Sequence, residues 1–396
     1  MSFANLFAVA LEHELNVILG VATSILLIGL SLKRIRQPYI IAYILTGVLL
    51  GPSGLGFIVS HETAELVGEF GLVVLMFFIG MEISLSDFIK RWRVAFFGTG
   101  MQVLFSFLLI YLMGLSLDWD FKRILLLSFI ISLSSSAVVI KLVEDHGLSN
   151  HKIGHQVISI LLSQDVLIVP MIILMTLVSG TAIDSEILSL QAIGGALILL
   201  LLFYLLRKKE ISIPFAKALE GDHDLQVFAG LIICFGFAFF TSAFHLSAGL
   251  GAFVAGLFVN ASPANHWLHE RLHSFRVVLI SIFFFSVGML IDLSFLQENW
   301  LTVFWLVLVV FLSNHGINAL ALRLLKNSWR ESFYGASMLA QIGEFSYVLA
   351  SLGYHSEIIS PYTYQLTVIV ISLTIFISPF WAAGTKKAFK MSSLVG

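Results

Sequence analysis

Asp165 stands in Leu161-Leu162-Ser163-Gln164-Asp165-Val166-Leu167, close to the middle of an apolar run near residues 153–178. A carboxylate at that depth in a hydrocarbon layer costs about 2.5–3.5 kcal/mol on insertion scales, so a functional site is the default reading. Such an acid can hold a proton or a cation in turn. The structural alternative is a neutral acid bonded to a neighbouring helix. Pro170 follows five residues on and removes the backbone donor that would have met the carbonyl of Val166.

Other polar residues sit at comparable depth. Ser134, Ser135 and Ser136 interrupt one apolar run, and Gln341-Ile342-Gly343-Glu344 interrupts another. Consecutive serines offer the backbone competing hydrogen bonds, and glycine weakens a helical turn. Both places are expected to unwind, freeing carbonyls that can replace part of a cation's water shell. Glu344 is either a second carboxylate near the ion or a cap on freed backbone donors. Asn314 and His315 lie mid-span in a later run, where the histidine could pair with Asp165 or simply pack between helices.

These side chains need a membrane to position them. The chain has 396 residues, 58% hydrophobic and 12% charged, with a mean hydropathy of +0.97. That composition excludes an ordinary soluble domain of roughly 25% charge. A formal net charge of −2 offers no basic surface for nucleic acid. The lone Cys234 excludes a disulfide framework and a cysteine-based metal site. Residues 1–14 carry Glu12 and Glu14 but no basic residue, so the first apolar segment is expected to persist as a helix.

Runs of about 20 apolar residues predict helices rather than barrel strands. About thirteen are read, near 15–32, 38–52, 64–81, 94–115, 121–142, 153–178, 186–206, 225–243, 246–261, 273–290, 299–322, 331–353 and 362–384. With that count, all of the 22 Lys and Arg residues except Lys122 and Arg123 fall on one side. The positive-inside rule then places the N-terminus outside and the C-terminus in the cytoplasm, as in an integral plasma (inner) membrane protein of prokaryotic type.

The chain also repeats itself. Phe77-Phe78-Ile79-Gly80-Met81 resembles Phe285-Ser286-Val287-Gly288-Met289 at an offset of 208 residues, and Gly47 pairs with Gly256 at 209. Both matches shift the chain by seven spans, and an odd shift inverts the second copy. Inverted repeats are expected over about 15–178 and 225–384, joined by a linker helix at about 186–206, an architecture found in secondary transporters. The same offset carries Ser134–Ser136 onto Ile342–Glu344.

Taken together, Leu133-Ser134-Ser135-Ser136-Ala137-Val138, Gln164-Asp165, Leu250-Gly251-Ala252-Phe253-Val254-Ala255-Gly256, Phe285-Ser286-Val287-Gly288-Met289 and Gln341-Ile342-Gly343-Glu344-Phe345 resemble the membrane domain of Kef-type potassium/proton antiporters, in the second monovalent cation:proton antiporter family. The likeness runs from about residue 15 to 385. It implies an all-α, thirteen-helix fold with crossed discontinuous fifth and twelfth helices, a moving core and a dimerisation domain. It also implies that Asp165 binds cation and proton alternately, with Ser136 and Gln164 lining the site. Two departures stand out. Kef-type proteins commonly continue into a cytoplasmic nucleotide-binding domain, which is not expected in this chain; regulation is left open, with a separate cytoplasmic regulatory subunit as one candidate partner. The family also often carries lysine or arginine on the eleventh helix, where this chain has Asn314 and His315.

The expectation is therefore a homodimeric monovalent cation/proton antiporter, embedded in lipid and needing no cofactor beyond potassium or sodium and protons. Ser134, Ser135, Ser136, Gln164 and Asp165 form its expected site. Two rivals remain open: an uncoupled or ligand-gated cation channel built from the same polar residues, and an intramembrane enzyme with Ser136 as nucleophile, which lacks an evident base.

Overall fold

The computed structural model describes residues 3–34, 37–57, 61–82, 92–179, 185–207, 219, 221–262 and 265–389. The helices are α1 (Phe3–Arg34), α2 (Tyr39–Leu50), α3 (His61–Glu82), α4 (Trp92–Ser116), α5 (Phe121–Ser132), α6 (Ser136–Asp145), α7 (Lys152–Ser179), α8 (Ser185–Arg207), α9 (His223–Ala243), α10 (Ala248–Asn260), α11 (Asn265–Met289), α12 (Leu293–Glu298), α13 (Trp300–Leu324), α14 (Trp329–Ser337), α15 (Phe345–His355) and α16 (Pro361–Ala388). Helices satisfy their own backbone polar groups, as a hydrocarbon environment requires. Many large apolar side chains face outward, among them Ile232, Phe239, Leu104 and Leu200. A bilayer covers such a surface without cost.

Among the described residues, six helical segments are long and apolar enough to cross a membrane, including Phe97–Ser116, Trp300–Leu324 and Pro361–Ala388. The remaining expected spans fall on shorter apolar helices or on interrupted pairs. Thirteen full crossings is thus an expectation from sequence rather than a count taken from the structure.

The chain forms two units, one comprising Met1–Gly71 with Ile280–Leu301 and the other Leu72–Leu279 with Thr302–Gly396. In the first, α1 packs along α2, and Leu50, Phe285 and Met289 form a small core flanked by Val21 and Leu290. Gly47 meets the backbone of α11 directly: a Cβ there would stand 2.8 Å from the Cα of Gly288. In the second unit Gly80 and Gly256 make the same kind of crossing, with a Cβ on Gly80 falling 2.9 Å from the Cα of Gly256. The sequence offset pairs Gly47 with Gly256 and Gly80 with Gly288, so each crossing joins one residue from each pair. Asp292, near a predicted span end, caps α12 by accepting from the backbone of Ser294 and Phe295 at 2.8 and 3.1 Å.

The second unit is organised around α7. It packs against α5, α6, α14 and α15, the four pieces of the two interrupted helices, and also against α4. Thr99 of α4 donates to the carbonyl of Ile160 on α7 at 3.1 Å. Pro170 does not end α7, which runs through it to Ser179.

Candidate functional site

Both expected interruptions are present. The first leaves Leu133, Ser134 and Ser135 outside the helical path between α5 and α6, and the second spans Met338–Glu344 between α14 and α15. The serines act as anticipated from their chemistry. Ser132 Oγ turns back onto the carbonyl of Phe129 at 2.9 Å. Ser135 becomes the N-cap of α6, its hydroxyl accepting from Val138 N at 3.5 Å. Gly343 lets the second interruption pass against the first, since a Cβ there would lie 2.5 Å from the carbonyl carbon of Ser134 and 2.7 Å from Ser135 N. The two strands are bonded where they cross: Gly343 N donates to Leu133 O at 2.8 Å, and Ser134 Oγ to Leu339 O at 3.0 Å.

α7 delivers the acid to this crossing. Asp165 is 2% exposed, and Ser136 Oγ lies 2.7 and 2.8 Å from its two carboxylate oxygens. One hydroxyl donor shared between two oxygens suits an acceptor-only carboxylate. Gln164, fully enclosed, uses its side-chain oxygen to accept from Ser134 N at 3.1 Å. The five residues Ser134, Ser135, Ser136, Gln164 and Asp165 are therefore brought together. Glu344 is buried at 3% exposure and occupies the position just before α15, without a side-chain cap bond to that helix.

At the first interruption several of the freed carbonyls are taken up within the protein. Near the end of α5, Ser346 Oγ bonds Ile130 O at 2.7 Å, Asn314 Nδ2 bonds Ile131 O at 3.0 Å, and Gly343 N bonds Leu133 O at 2.8 Å. Helix termini leave their last carbonyls unpaired, and burial forces them to find donors.

Asn314 belongs to an amide chain invisible in the motif reading. Gln102 Nε2 donates to Asn314 Oδ1 at 2.8 Å, and Asn318 Nδ2 donates to Gln102 Oε1 at 3.0 Å. The available signal was an amide in the middle of an apolar run, at Gln102 as at Asn318. His315 is directed elsewhere. Trp381 Nε1 donates to its Nδ1 at 2.9 Å, and its Nε2 lies 2.8 Å from the carbonyl of Phe333. That pattern fits a neutral ring with the proton on Nε2, and the structure brings neither ring nitrogen to Asp165.

Three comparisons bear on this site. The family model described as sodium/hydrogen exchanger, transmembrane, matches residues 20–384. A relative from Paramagnetospirillum magneticum named iron transporter MagA is 33% identical over 385 residues, covering 97% of this chain and 88% of its own length. A solved sodium proton antiporter from Methanocaldococcus jannaschii superposes with a TM-score of 0.68 at 16% identity, covering 96% of this chain and 99% of that one, which establishes the fold. The Kef-type resemblance is narrower than anything these comparisons name.

Proposed function

The chain belongs to the sodium/hydrogen exchanger family of transmembrane proteins, and from that premise we propose that it is an alternating-access antiporter exchanging a monovalent cation, potassium or sodium, for a proton at Asp165. The observation that carries this reading is the enclosure of Asp165 at the crossing of two interrupted helices, with the Ser136 hydroxyl on both its oxygens. A proton and a cation compete for the same carboxylate. Competition at one site exposed to each side in turn couples their fluxes.

Gln164 supports one-for-one, electroneutral exchange. Its amide can offer an oxygen but cannot carry a proton, so Asp165 moves a single charge whichever ligand it holds. Among the described residues Glu344 is the other buried acid, and it could add a second proton. Lysines and arginines sort as the positive-inside rule requires for an external N-terminus and a cytoplasmic C-terminus in the plasma membrane. The reading also includes the two inverted repeats and a homodimer. The relative's name raises iron as a cargo. A single carboxylate among hydroxyls and amides suits a monovalent ion better than ferrous iron, which favours imidazole and thiolate donors.

The test is exchange in proteoliposomes with potassium, sodium and ferrous iron supplied in turn. Asp165→Asn should abolish cation-dependent proton movement without loss of folding. Clamping the potential at zero and at about 100 mV, worth roughly 2.3 kcal/mol per charge, should leave the reversal gradient unchanged. Cation flux without proton movement would instead indicate a channel.

A further inference from the structure

Gln341 lies in the middle of the second interruption. None of its side chain is exposed, and neither the oxygen nor the nitrogen of its carboxamide has a hydrogen-bond partner. The backbone on both sides is fixed. Leu339 O accepts from Ser134 Oγ at 3.0 Å, Ile342 N donates to Thr374 Oγ1 at 3.3 Å, and Gly343 N is held by Leu133 O at 2.8 Å. Gln341 is therefore carried between two residues that each touch the first interruption, and Ser134 there is bonded to the Gln164 amide next to Asp165. Gln164 Nε2 is likewise buried and unpartnered.

An enclosed amide that makes no bond is costlier than an apolar residue of the same shape, and a position that keeps one has a reason to do so. A carboxamide oxygen is a neutral, hard donor of the kind that replaces a water around potassium or sodium. Resting on the antiport reading, we propose that Gln341 is a direct ligand of the transported cation, so that the second interrupted helix contributes to a coordination shell whose other members are Asp165 and Ser136. The ion, partly dehydrated, would bind through Gln341 Oε1, leaving Nε2 to donate to a retained water. Because the amide does not titrate, it acts on cation affinity and leaves proton binding alone.

The test uses two variants of the full chain, each measured by thermal melting in choline chloride, melting with saturating potassium or sodium chloride, and exchange kinetics in proteoliposomes. Gln341→Leu removes the bonding atoms at nearly constant shape, while Gln341→Glu keeps an oxygen at the same reach. Gln341→Leu should melt at or above wild type without cation, lose most of the cation-induced rise in melting temperature, and raise KM for the cation about tenfold with kcat at saturation little changed. Gln341→Glu should keep the cation-induced rise and a KM within about twofold of wild type. The assignment is overturned if Gln341→Leu melts lower with an unchanged KM, or if both variants raise KM equally, since either result describes packing. Wild-type protein that exchanges no cation would overturn the antiport reading, and the ligand assignment with it.

Discussion

Between α5 and α6 three residues leave the helical path, and each is committed. Ser134 bonds through both its nitrogen and its hydroxyl, Ser135 caps the next helix, and Leu133 O receives Gly343 N. Between α14 and α15 the departure runs from Met338 to Glu344, and its centre holds an amide with no bond at all. The repeat offset read from the sequence pairs these two interruptions. One is now sealed and serves as a frame; the other retains spare bonding capacity. The two interruptions differ in length and in side-chain composition, and the longer one holds the unbonded amide.

The strongest way to break this contrast is to separate the two interruptions. Gly343→Ala would put a Cβ into the backbone of Ser134 and Ser135, which cannot move aside as a side-chain tip could. Overpacking at such a contact should cost about 3 kcal/mol and lower the melting temperature with loss of exchange. Gly316→Ala on α13, where a Cβ meets nothing within 4 Å, is the matched control and should be neutral or stabilising by about 0.5–1 kcal/mol. Equal effects from the two would show that the crossing is not tight.

Ser136→Ala tests the sealed side at its contact with the acid. A hydroxyl bonded to a carboxylate contributes about 1.5–3 kcal/mol, so apparent cation affinity should weaken by at least tenfold, more than turnover slows. Unchanged affinity in a titration of exchange against cation concentration would reduce the serine to a structural role. The smallest effect is expected at His315, whose nitrogens are engaged by Trp381 and Phe333. His315→Gln should leave the pH profile of exchange in place and lower stability by about 1 kcal/mol. A profile displaced by about half a pH unit or more would restore it as a charge partner of Asp165.

Depth was legible in the sequence; direction was not. Asp165 and the serine triplet stand out because a membrane span has few reasons to hold them, and the matching offset located the second interruption. Which way His315 points could not be read the same way. In a soluble helix the polar stripe marks the outward face, but here both lipid-facing and buried positions are apolar, so periodicity carries little information. For the same reason the links among Gln102, Asn314 and Asn318, and the bond from Thr374 to Ile342, appear only once the helices are packed. The donors that meet two of the α5 carbonyls, Ser346 and Asn314, come from distant parts of the chain and could not be read from the local sequence.

The amide chain that meets the end of α5 has a bearing on how such a site tolerates its own chemistry. Gln102, Asn314 and Asn318 have no charge to gain, lose or screen, so bonds among them keep the same strength in acid, in alkali and in concentrated salt. A lysine or arginine in that place would feel each change of charge on a nearby carboxylate and would repartition its contacts accordingly. Built from amides, the frame is indifferent to titration elsewhere in the protein, so that under the proposed exchange a proton could come and go at Asp165 without loosening the end of α5.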